Sequence, residues 1–200
     1  MTDARAGEGC APATAGWLGV VTDLLFAGGL ALILSAFAND RLDAVPRPLA
    51  LLFLFGAPGI VAACGVVGRR RSIVGGACLA LLLGAPLSFT GVTAIFLIPA
   101  LLFLVAAARL GPAVTSRGVE ILEGVLVAVL LVGAGFALFF LTAQTCSTDA
   151  GGSTECGTGV LTVTGVVVEL ALEATAVVIA AWRADLPARL AARLGGRPGP

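Results

Sequence analysis

From Ile73 to Leu110 roughly forty residues pass with a single charge, Arg109. Water cannot solvate such a run in a folded chain, whereas a bilayer can. A helix crosses the hydrocarbon core with about 20 apolar residues rising 1.5 Å each, so a run of this length is two spans. It divides at Ser88-Phe89-Thr90-Gly91, where polar and turn-forming residues cluster. The same reading along the chain gives six spans, at about 17–38, 49–68, 73–88, 92–108, 121–143 and 160–182. A short tail over 1–16 precedes them and a basic tail over 183–200 follows. The expected fold is all-α: a polytopic transmembrane helical bundle of six spans.

The composition agrees. Hydrophobic residues make up 58% of the 200 and charged residues 12%, against roughly a quarter charged in a soluble domain. The chain has no His, no Lys and no Tyr. That excludes imidazole acid–base chemistry, His-ligated metals and a lysine Schiff base. The sequence holds no G-x-x-x-x-G-K-[ST] phosphate loop and no G-x-S-x-G elbow. The expectation is a non-enzyme with no cofactor and no bound metal. A net charge of zero gives no reason to expect a nucleic-acid partner. The expected partners are the lipid bilayer and either another membrane protein or a second copy of the chain.

Arginine sets the orientation. With N and C termini cytoplasmic, the inner segments hold Arg5, Arg69, Arg70, Arg71, Arg109, Arg117, Arg183, Arg189, Arg193 and Arg197, and the outer ones hold Arg41 and Arg47. Basic residues in short loops stay on the cytoplasmic side, so six spans in a plasma membrane of bacterial type is the consistent assignment. Ala36-Phe37-Ala38 has the small-x-small form of a signal cleavage site, but Asp3, Glu8 and Asp23 outweigh Arg5 where a leader would be positive. In the C-terminal tail Leu186, Leu190 and Leu194 recur at helical spacing with Arg189 and Arg193 between them. Either a surface helix on anionic headgroups or a plain basic tail fits that pattern.

Cys146 and Cys156 bracket a Gly/Ser-rich segment in the outer loop between spans five and six, and a structural disulfide is expected there. Redox activity is not, because no C-x-x-C spacing and no adjacent cation are present. Cys64 and Cys78 read as small buried apolar residues. Gly56-Ala57-Pro58 and Gly84-Ala85-Pro86 repeat one tripeptide in two neighbouring spans at matching depth, and Pro99 falls mid-span in the fourth. Such kinks either open an outward vestibule or are ordinary membrane-helix proline.

Spans one, five and six carry acids. Asp23 continues a small ridge of Gly19, Ala27, Ala31 and Ser35. Glu169 and Glu173 share a face with Thr162, Gly165, Ala176 and Ala180, opposite Val163, Val167, Leu170 and Val178. Glu120 and Glu123 stand at the cytoplasmic entrance of span five, on a ridge continued by Gly124 and Ala128. An Asp at mid-helix costs about 2.5–3.5 kcal/mol on the insertion scale, and small ridges let helices approach closely. The reading is that spans one, five and six pack together with their acids inward. No arginine is expected at membrane depth, so the carboxyls are protonated, hydrated or cation-bound, with one proton shared between Glu169 and Glu173. Three functions fit. The first is a non-catalytic accessory subunit in which the acids serve helix packing. The second is a small proton- or cation-coupled transporter or channel using Asp23, Glu169, Glu173, Glu120 and Glu123. The third, weakest reading is a divalent ion held by Glu120, Glu123, Glu169 and Glu173.

Overall fold

The computed structural model describes residues 11–37, 47–87, 95–111, 116–140, 142–148, 154–161 and 163–188; in the strands the description is of the backbone. Six helices follow one another: α1 (Ala11–Phe37), α2 (Arg47–Gly68), α3 (Arg71–Leu87), α4 (Leu97–Arg109), α5 (Arg117–Phe140) and α6 (Val163–Arg183). Between α5 and α6 the chain forms β1 (Thr142–Thr148) and β2 (Thr154–Leu161). Four helices are long and apolar enough to cross a membrane: α1, α2, α5 and α6. The apolar helices α3 and α4 are shorter. The outer surface is that of a membrane protein, with large aliphatic side chains turned outward along the helices, Leu25 at 68% and Leu32 at 72% exposure among them.

The helices form two layers of three. One layer is α1, α2, α6 and the other α4, α3, α5, so that α1 lies over α4, α2 over α3 and α6 over α5. Span one therefore packs against α2 and α4, not with α5 and α6 as the acid ridges suggest. The face that was read as its packing surface is nonetheless the buried one: Gly19, Asp23, Ala27 and Ala31 are all buried. A ridge of small residues specifies close approach but not the partner, and α1 spends its ridge on α2 and α4. A Cβ added at Gly16 would meet Val66, and one at Gly19 would meet Phe103.

Directions alternate along the chain. Gly16 near the start of α1 faces Val66 and Ala106, Gly68 at the end of α2 faces Ala184, and Glu120 near the start of α5 meets Arg71 at the start of α3. The starts of α1, α3 and α5 and the ends of α2, α4 and α6 thus gather at one end. Arg69, Arg70, Arg71, Arg109, Arg117 and Arg183 all lie there. The α2–α3 corner is tight. Arg70 N–H donates to the Gly65 carbonyl and Arg69 N–H to that of Val66, with Arg69 in the left-handed region at φ 54. This is a helix-capping loop that ordinarily holds glycine.

Two helices end differently from the apolar runs. Thr142, Ala143, Val160 and Leu161, read as parts of spans five and six, lie in strands. The strands are rich in Thr, whose β-branched side chain fits an extended backbone better than a helix. β1 and β2 pair antiparallel, with a register irregularity between Ala143 and Gln144, and Cys146 lies directly opposite Cys156. The prolines also separate. Pro58 is inside α2. Pro86 is in the last turn of α3. Pro99 sits in the first turn of α4, not mid-span, where the missing N–H has no helical acceptor to lose.

Candidate functional site

Among the described residues five carboxylates are buried: Asp23, Glu120, Glu123, Glu169 and Glu173. They fall into two chemically different groups. Glu120 and Glu123 belong to the arginine-rich end. Arg71 pairs with Glu120, its Nε donating to Oε2 at 2.8 Å. Arg183 pairs with Glu123 at 3.3 Å, and Ser72 Oγ donates to the other oxygen of Glu123 at 3.1 Å. These contacts correct the expectation that no arginine reaches the acids. Those of Arg71 and Ser72 exist because α3 and α5 cross almost backbone to backbone. A Cβ at Gly76 would lie 2.6 Å from the Gly124 carbonyl oxygen, and one at Gly124 would lie 2.9 Å from that of Ser72. Glycine at both positions lets the helix starts meet, and the ion pairs tie α3, α5 and α6 together. A divalent ion held by Glu120, Glu123, Glu169 and Glu173 together does not fit this arrangement. Along α6, Arg183 stands ten residues from Glu173, or ~15 Å at 1.5 Å per residue. Among the described residues no three His, Cys, Asp or Glu side chains gather as a metal site.

The other three acids stand apart. Asp23 is fully buried. It lies against α2 just past Pro58: a Cβ at Gly59 would come within 2.6 Å of Asp23 Oδ2. Only glycine leaves room there for the carboxyl. Among the described residues no side chain donates to either Asp23 oxygen, and the backbone N–H of Gly59 lies beside the carboxyl. Aromatic rings close the space one turn toward the far end, where Phe96 stacks on Phe55 at 5.1 Å and meets Phe26 edge-on at 6.3 Å. Toward the arginine end Phe103 packs over Gly19.

Glu169 and Glu173 lie one turn apart on the inner face of α6, 0% and 4% exposed, in line with buried Gly165, Ala176 and Ala180. Val167, Leu170 and Val178 turn outward, as the periodicity of the sequence indicates. All four carboxyl oxygens of this pair are buried with no hydrogen-bond partner among the described residues. Bare carboxylates in so dry a setting are strongly disfavoured, so these groups carry a proton, admit water or hold a cation.

Cys64 and Cys78 are buried thiols, as expected, and Cys78 Sγ donates to the Ala100 carbonyl at 3.2 Å. The side chains of Cys146 and Cys156, and the tail residues Arg189, Arg193 and Arg197, lie outside the described residues. What sequence reasoning missed is Gly59. Its signal is the Gly directly after Pro58, legible only once α1 is known to lie against α2. No known protein family, curated protein or solved structure matches this chain.

Proposed function

We propose that the chain is a six-span protein of a bacterial-type plasma membrane, both termini cytoplasmic, that handles protons or another small cation on Asp23, Glu169 and Glu173. One observation carries the reading. Three carboxyls are buried within apolar helices, and none meets a side-chain donor or an arginine among the described residues. An accessory subunit that uses its acids only for assembly calls for each carboxyl to bond a neighbouring helix. Glu120 and Glu123 meet that requirement through side chains of α3 and α6, Asp23 has only the Gly59 backbone N–H beside it, and Glu169 and Glu173 have no donor among the described residues. Their burial also keeps them from reaching a second chain. The arginine-rich end supports the orientation, since basic residues stay cytoplasmic. By the same assignment the hairpin is outside, and the register of Cys146 opposite Cys156 supports a disulfide across it, because directly opposed residues of antiparallel strands lie within the Cα separation a disulfide spans.

The test is purified protein in liposomes with an entrapped pH dye under a clamped potential, and in parallel a sodium-sensitive dye. Glu169→Gln with Glu173→Gln is expected to leave elution volume and helix content unchanged while lowering ion flux roughly tenfold or more. The dye that responds identifies the ion. Lost assembly with unchanged flux per folded molecule would return the accessory-subunit reading.

A further inference from the structure

Asp23 and Glu173 stand on opposite flanks of one helix at one depth. Gly68 of α2 packs on Ala184 of α6, and both helices run toward the arginine-rich end. Eleven residues back along each, about three turns plus 20° at 100° per residue, lie Ala57 and Glu173. Glu173 is therefore on the α2-facing side of α6, level with Ala57. Asp23 meets Gly59 from α1. Gly59 is two positions on from Ala57, which is about 200° around the helix. The two acids thus approach the same short segment of α2 from opposite sides, with Pro58 between them.

That segment is thin and holds the proline inside α2. Gly56, Ala57, Pro58 and Gly59 are all buried, and none carries a side chain larger than the proline ring. Pro58 leaves the Leu54 carbonyl without its helical donor, and the flanking glycines lower the resistance to bending. Neighbouring helix axes lie about 8–10 Å apart, so with α2 in place the two carboxyls stay beyond hydrogen-bond reach of each other. The aromatic group of Phe26, Phe55 and Phe96 closes one side of the Asp23 contact and Phe103 the other.

We infer that Asp23 and Glu173 are two proton stations joined by bending of α2 at Pro58, with Glu169 sharing the proton on the α6 side. The inference rests on the proton-handling reading above and adds to it the order of the stations and the part that moves. A proton leaves one carboxyl for water admitted where α2 bends, and that water gives a proton to the carboxylate of the other, so charge and atoms balance with water as the carrier.

Proton flux into dye-loaded liposomes tests it with four variants of the full chain. Asp23→Asn and Glu173→Gln are each expected to lower flux roughly tenfold. Pro58→Ala restores the donor to the Leu54 carbonyl and is expected to lower flux about fivefold. Gly56→Ala is the control for folding. Its methyl would meet Leu24 and Ala27 at 3.6 and 3.9 Å, ordinary contact distances, while stiffening the same segment, and about a threefold loss is expected. If Pro58→Ala does not fold, Gly56→Ala decides. Wild-type flux in folded Pro58→Ala and Gly56→Ala, with the two carboxyl variants inactive, overturns the α2 link and leaves the carboxylate reading standing. Flux lost in Glu173→Gln but kept in Asp23→Asn overturns the two stations. Wild-type flux no greater than that of empty liposomes overturns both inference and reading.

Discussion

Gly59 carries more of the site than any titratable group except the acids themselves. The space its missing side chain leaves is filled by the Asp23 carboxyl, so the two residues are one packing unit across two helices. Gly59→Ala forces Asp23 to move and is expected to destabilise the protein by about 1–3 kcal/mol, the usual penalty for overfilling a packed contact. Asp23→Ala should relieve much of that penalty. In a double-mutant cycle followed by thermal unfolding in detergent, the pair should lose less than the sum of the single changes. Additive losses would mean that the two residues do not share the contact. Gly76 and Gly124 are stricter still, because what opposes a side chain there is backbone oxygen, which cannot turn aside. They set the distance at which Arg71 finds Glu120 and Ser72 finds Glu123. The sequence marks all five acids alike. The packing of α5 against α3 and α6 separates the two that pair with arginine from the three that meet none among the described residues.

At the scale of elements, the apolar runs locate the helices, and the inward faces of α1, α5 and α6 follow from small-residue periodicity. Which helix receives which face does not follow, because Gly and Ala ridges are interchangeable and the choice depends on the assembled layers. Ends are less legible for a related reason. The run Phe136–Leu141 is apolar throughout, and only the threonines beyond it, Thr142, Thr145 and Thr148, tip the balance toward strand. Counting from the polar break puts Pro99 mid-span, whereas α4 begins later, at Leu97. The hairpin gives the element-scale prediction. Oxidised protein should run faster on a non-reducing gel than after reduction, and Cys146→Ser should abolish the difference. The ring is short, so losing it should cost at most ~3 kcal/mol on the chain-entropy account. Identical mobility before and after reduction would remove the disulfide.

At the scale of the whole molecule, alternating directions bring the start of α1 and the end of α6 to one end, and described arginines crowd there. On the proposed orientation, a single cysteine at position 115 in a cysteine-free background should resist a membrane-impermeant maleimide in intact cells, and one at position 150 should react. Labelling at 115 alone would invert the molecule. The α2–α3 corner shows how strongly this asymmetry bears on the chain. Arg69 occupies a left-handed backbone position that disfavours any side chain by about 1–2 kcal/mol and that glycine fills freely. A chain shaped for stability alone would carry glycine at that corner. On the proposed orientation the corner is a compromise: Arg69→Gly is expected to relax the backbone there while removing one basic residue from the end assigned to the cytoplasm.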